Sequence, residues 1–273
     1  MEKTISRLSF ILLGGASLLC ALALGSCTKD PSVAEESATL TIGASVKDGP
    51  VTRAQAISGE LFVGVFNEDG TLYTSAHQSG TFPQSLKVNL IKGMAYKLVF
   101  WAQEDGQQTI AYGDSWTGND LKAINVSACK DAFTKAVDYT MGTDPSENNL
   151  VEVTLERPFA RVALLVTSPS GAGLSPTFAS FTAEDIPTVY NALSGEFSTP
   201  GSVTAYEGEP TMIETTSGET SCTEMLHFFI PAGDEASTFS GSYILSGDAF
   251  QTEKPVTGVT IRRNFRTNII TSL

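Results

Sequence analysis

The sequence predicts a mainly β protein built from sandwiches. Three observations carry this expectation. Runs of alternating or β-branched apolar residues recur along the chain, each bounded by Gly, Pro, Asn, Asp or Ser. Loop-forming residues are plentiful, with 24 Gly and 12 Pro in 273 residues. Helical periodicity shows in one short stretch only, Cys129–Val137, where Ala132, Phe133 and Ala136 are spaced as on a helix.

The first segment reads as an export signal. Lys3 and Arg7 precede an apolar run from Leu8 to Leu24, diluted by Gly14, Gly15 and Ser17. A retained transmembrane helix is the weaker alternative, because the run is short and glycine-rich beside a span of about 20 apolar residues. The run ends at Leu24-Gly25-Ser26-Cys27, which resembles a bacterial lipobox. Cleavage before Cys27 and acylation of its thiol are therefore expected, giving a lipoprotein held on the membrane by two or three chains. Each buried CH₂ contributes about 0.8 kcal/mol, so such an anchor holds far more firmly than a single acyl chain. Residues 27–37 carry Lys29, Asp30, Pro31, Glu35 and Glu36 without apolar periodicity and read as a flexible tether.

Strands follow in order. Ala38 to Val46 alternates apolar and polar residues over nine positions, as a strand with one buried face does. Further strands are expected at Leu61–Phe66, Leu86–Leu90, Tyr96–Ala102, Val151–Leu155, Phe159–Thr167, Met225–Ile230, Ser242–Leu245, Val256–Ile261 and Thr267–Ile270. Asp69-Gly70 and Asp105-Gly106 supply tight turns. Tyr96 to Ala102 is apolar on both faces, which makes it a central strand and Trp101 a core residue. Pro158 removes a backbone donor and restricts Arg157, so the long run from Asn148 to Val166 must break there. The expected division is a sandwich over 38–156 and another over 157–273, with no internal repeat evident in the sequence.

Charge and chemistry narrow the function. The chain has 17 Lys and Arg against 30 Asp and Glu, a net −13, which argues against a nucleic-acid partner. Residues 1–26 carry Lys3, Arg7 and Glu2, so the remaining 247 residues carry −14. Nucleophile elbows, zinc-binding helices, phosphate loops and dinucleotide glycine patterns do not occur, so no cofactor, metal or catalytic residue is expected and the protein is read as a non-enzyme. His77 reads as a surface-loop residue and His227 as a strand residue flanking the core. Asp138, Asp144 and Glu147 read as a solvated acidic loop rather than a calcium site. Cys20 leaves with the signal, and Cys129 and Cys222 are expected as separate thiols, a disulfide between them being the alternative.

Several segments in this order carry a family resemblance. They are the lipobox, Ala38-Thr39-Leu40-Thr41-Ile42, Thr52-Arg53-Ala54, Phe100-Trp101-Ala102-Gln103, Glu156-Arg157-Pro158-Phe159-Ala160-Arg161 and Arg263-Asn264-Phe265-Arg266-Thr267-Asn268. Together they resemble the fimbrillin-like lipoproteins of Bacteroidota, relatives of type V pilus subunits. The resemblance implies two tandem transthyretin-like β-sandwiches displayed on the outer membrane, with a receptor on a host or bacterial surface. It also implies proteolysis after an arginine that follows the first strand, here between Arg53 and Ala54, and replacement of that strand by one from another pilus subunit. The physical basis is β-augmentation: a sandwich that loses an edge strand leaves unpaired backbone groups beside an apolar groove. The residues after Phe265 suffice for a final strand, so the expectation is an acceptor without a donor, at a tip or accessory position. The alternative function is glycan binding, with Tyr112, Trp116 and Tyr139 stacking on sugar rings.

Overall fold

The computed structural model describes residues 36–47, 58–104, 109–110, 113, 116–127, 131–144, 149–167, 176–218 and 220–272. The expected leader, Cys27, most of the tether, and the Arg53-Ala54 linker lie outside these residues, as do Asp105-Gly106, Tyr112, Cys129 and Glu147.

The first half contributes β1 (Ser37–Val46), β2 (Ser58–Asn67), β3 (Leu72–Thr81), β4 (Gln84–Ile91), β5 (Ala95–Glu104), a short 3-10 helix (Gly118–Lys122), β6 (Ile124–Asn125), β7 (Ala132–Thr140) and β8 (Leu150–Leu155). They form a three-stranded sheet in the order β4-β1-β8 and a four-stranded sheet in the order β3-β2-β5-β7. Alternation places one face of each inward, so that Leu40, Ile42, Leu61, Leu90, Leu98 and Phe100 fill a common core. The second half contributes β9 (Phe159–Thr167), β10 (Phe178–Asn191), β11 (Glu196–Gly208), β12 (Ile213–Ser217), β13 (Thr220–Pro231), β14 (Ser237–Gly247), β15 (Phe250–Ile261) and β16 (Arg266–Thr271). Here the sheets run β12-β13-β9-β16 and β11-β10-β14-β15, with Val162, Leu164, Phe181, Leu226, Phe228 and Leu245 between them.

The two sandwiches repeat one topology. β4-β1-β8 matches β13-β9-β16, and β3-β2-β5-β7 matches β11-β10-β14-β15. In each, the first strand lies parallel to the last: β1 with β8, and β9 with β16. β6 and β12 are additions to this shared plan.

A third apolar cluster joins the sandwiches. The outward faces of β2 and β5 carry Phe62, Phe66, Val99 and Trp101, all fully buried. Trp101 meets Phe159 edge-on at 6.2 Å and Tyr190 at 6.0 Å between ring centroids. β6 pairs with Tyr190 and Val189 of β10, and the Ala192 N–H donates to the Leu121 carbonyl at 2.8 Å. Beside the break at Pro158, Arg157 is held by both carboxylate oxygens of Asp131 at 2.5 and 2.7 Å, its guanidinium 4.5 Å from the Phe133 ring centre. Residues Glu36–Leu273 accordingly form one compact unit.

Four expectations need correction. The stretch read as a short helix is strand β7, paired antiparallel with β5 from Ala132 to Thr140. Phe133 and Val137 are four apart, a spacing that one face of a strand satisfies as well as a helix, and the open edge of β5 decides between them. His77 is not on a surface loop but in β3, its side chain 10% exposed and its ring 4.7 Å from that of Phe62. β1 is not an edge strand: residues 41–44 are paired on both sides. Repetition, unseen in the sequence, is present in the topology.

Close approach of two strands makes Gly241 of β14 irreplaceable. A Cβ there would collide with the Thr182 carbonyl oxygen and come within 3.1 Å of Ala183 Cα, both backbone atoms. At Gly43 of β1 the nearest atom would be Glu152 Cγ at 3.6 Å, an ordinary contact. Urea denaturation should therefore show Gly241→Ala destabilised by about 1–3 kcal/mol, in the range of overpacked cores. Gly43→Ala should stay within about 0.5 kcal/mol of the parent.

Candidate functional site

The site is the seat of β1. Residues Ser37 to Ala44 pair antiparallel with Ile91 to Gln84 of β4, and residues Thr41 to Val46 pair parallel with Leu150 to Leu155 of β8. The two ladders overlap over four residues, so the strand is wedged between its neighbours rather than laid on an edge. Leu40, Ile42 and Ala44 point inward and are 0–1% exposed. Burying a side chain such as Leu or Ile contributes about 1.5–3 kcal/mol. The outward positions Thr39, Thr41, Gly43 and Ser45 are polar or small, the pattern of a strand with one wet face.

Ion pairs flank both ends. At the start, Lys92 Nζ donates to Glu36 Oε2 at 2.7 Å and the Lys92 N–H donates to the Glu36 carbonyl at 2.9 Å. At the end, Lys47 Nζ donates to Glu156 Oε1 at 3.0 Å and the Lys47 N–H to the Leu155 carbonyl at 2.8 Å. Glu156 also faces Arg263 at 3.5 Å, in the turn before β16. The hydrogen bond from Lys92 holds the Glu36 carboxyl below the usual range. For Glu156 the hydrogen bond from Lys47 does the same and, with the charges of Lys135, Lys47 and Arg263, outweighs the opposing effect of burial.

Of the proposed sugar-stacking rings, the two described ones do not share a surface. Trp116 packs with Phe62 at 5.4 Å on the outward face of the β2-β5-β7 sheet. Tyr139 packs against the core on the opposite face, its hydroxyl donating to Met141 Sδ at 3.7 Å. A groove of about 540 Å³ is lined by Tyr96, Tyr139 and Leu193 together with polar residues such as Asn67, Lys97 and Asp138, and Trp116 is not among its lining residues. Asp138 is 88% exposed and 3.9 Å from Lys97, while no three His, Cys, Asp or Glu side chains among the described residues are grouped to hold a metal. Cys222 is a buried free thiol beside Ala163 and Leu165.

Sequence reasoning missed a second polar centre. Glu224 of β13 is 2% exposed and accepts hydrogen bonds from Arg161 at 2.7 Å and Arg266 at 2.9 Å, with His227 Nδ1 at 2.9 Å. Both arginines stood in the segments that carried the family resemblance. Their meeting was hidden because it depends on the pairing of strands about a hundred residues apart.

Residues 31–273 match the model of DUF6562, a family of unknown function. The chain belongs to that family. No curated protein matches it. Among solved structures, it is similar to a candidate adhesin from Bacteroides ovatus, at 12% identity, 87% of this chain, 88% of that one and a TM-score of 0.51. A candidate polysaccharide-binding protein from Bacteroides thetaiotaomicron aligns at 11% identity, 86% and 91% coverage and a TM-score of 0.53. A candidate adhesin from the same species aligns at 11% identity, 79% coverage of each chain and a TM-score of 0.50. These likenesses establish the fold, and the fimbrillin-like resemblance holds at that level. No helix among the described residues is long and apolar enough to cross a membrane.

Acid should loosen the seat of β1. Glu156 has a folded pKa below its unfolded one, so its contribution is complete above the unfolded value of about 4.3 and is lost as pH falls through the folded value. Urea midpoints measured from pH 7 down to pH 3 should fall less steeply in Glu156→Gln than in the parent, and the variant should lose under about 1 kcal/mol at pH 7 because the pair is half-exposed. Parallel pH profiles for the two proteins would contradict this.

Proposed function

We propose that the protein is a surface-exposed lipoprotein of the outer membrane that serves as a fimbrial tip or accessory subunit, or as an adhesin, by accepting a strand from another subunit. The observation that carries this reading is the seat of β1, a slot one strand wide with both walls and an apolar floor already in place. A donor strand entering it would satisfy two ladders at once, where ordinary edge addition satisfies one. The anchor rests on the lipobox at Cys27, and the opening step on a cut between Arg53 and Ala54, in the segment that follows β1. The two sandwiches, divided at Glu156 and Arg157, are its tandem domains. Shared fold with candidate adhesins supports a contact function over turnover. Glycan stacking by Tyr112, Trp116 and Tyr139 is disfavoured, because the sheet itself separates Trp116 from Tyr139.

A cut after Arg53 has a further consequence. Cys27 lies on the β1 side of the cut, so the body would remain on the membrane only through noncovalent seating of β1. Intact-mass analysis of the protein from its native membrane should show acylation at Cys27. Treatment with an arginine-specific protease should yield a fragment ending at Arg53 that stays bound until a competing strand displaces it, and Arg53→Ala should resist the cut. An unacylated protein would remove the anchor from this reading. Adhesion unchanged in a strain carrying an uncuttable variant would remove the strand-exchange step.

A further inference from the structure

β16 is held parallel to β9 with Arg266 directly opposite Arg161. Like charges directly opposite on one face destabilise a strand pair. The hydrophobic pattern does little to choose this alignment. On the inward face β16 offers Thr267, Ile269 and Thr271, of which Ile269 alone is buried. A slip of two residues would keep every side chain on its own face and would also separate the two arginines. Yet the alignment that sets them opposite is the one adopted.

Glu224 lies across β9 from β16, on the same face as both arginines. One of its carboxylate oxygens accepts from Arg161 and the other from Arg266. The pairing of β13 with β9 shifts between Glu224 and Leu226, a bulge that re-aims the chain where the carboxylate is needed. His227 completes the shell, and Arg266 Nε is further oriented by Asn268 Oδ1 at 2.8 Å. We propose that Glu224 is a register lock for β16: its one buried carboxylate turns a repulsive pair of arginines into the two halves of a clamp, and so, with peripheral hydrogen bonds such as Tyr243 to Thr271 at 2.6 Å, selects one alignment of a strand whose apolar pattern specifies it poorly. Burial pushes the Glu224 carboxyl up, but the hydrogen bond with His227 and the charges of Arg161 and Arg266 outweigh it and hold the group below the usual carboxylate range. This inference does not depend on lipidation, proteolysis or strand exchange.

Amide hydrogen exchange resolved along the chain tests it. In Glu224→Gln, protection over residues 266–271 should fall by roughly tenfold or more, as expected when the counter-ion of a buried group is lost, while β1 to β8 keep theirs. Adding Arg266→Gln to that variant removes the opposition and should restore most of the protection. Arg266→Gln alone should cost less than Glu224→Gln. If Glu224→Gln fails to fold, the double variant should fold. Unchanged protection of β16 in Glu224→Gln would overturn the proposal, and so would a loss that Arg266→Gln does not rescue.

Discussion

Each sandwich is closed by seating its first strand beside its last. β1 meets β8 across more than a hundred residues of chain, and so does β9 with β16. A parallel pair of this kind cannot be joined by a hairpin, so its closure spans all the intervening strands. The loop entropy of that closure must be met by contacts made late, which ties the integrity of each sandwich to its closing pair. The rest of the architecture is arranged around these two seams. The linker at Pro158 runs from one closing pair directly into the other, and the apolar cluster around Trp101 fixes the sandwiches to each other on the far side of the four-stranded sheet.

The two closures are held by different physics. β1 contributes two large apolar side chains to its core and has exposed or half-exposed ion pairs at its ends. Such pairs contribute little, so its hold comes from the apolar face and the double ladder. β16 contributes one buried apolar side chain and places Arg266 against a carboxylate in the protein interior. β9, the counterpart of β1, is further fixed at its start by Phe159, buried in the inter-sandwich cluster. The same topology thus seats β1 chiefly by an apolar pattern, whereas β16 adds a specific polar contact to a single buried apolar side chain.

Much of this was legible in the sequence, for identifiable reasons. The alternation of Ala38 to Val46 announces β1, and the two apolar faces of Tyr96 to Ala102 announce a central strand with Trp101 inside. Strands such as β3 and β12 escaped because they lie at sheet edges, are rich in Ser, Thr and other polar residues, and leave no face buried enough to force alternation. β10 carries Asp185 at φ 54 and shifts in its pairing, which break any regular period. The place of β1 within its sheet was not legible either, since its parallel partner is set by tertiary topology. The same holds for Glu224, whose neighbours in sequence, Thr223 and Met225, give no hint of a pair of arginines.

The balance of terms around β1 also determines what the slot can do. Emptying it would strip two ladders over residues 41–44 and expose the floor beneath Leu40 and Ile42, and unpaired buried backbone groups cost about 1–3 kcal/mol each. The ion pairs at its ends are too weak to decide the outcome. A vacant slot is therefore far less stable than the filled one. Under the proposed function, exchange of one strand for another would avoid that cost, whereas loss of a strand to water would not. The high cost of vacancy follows from the position of β1 between two walls rather than on an edge, and the proposed strand exchange would have to proceed without passing through the empty slot.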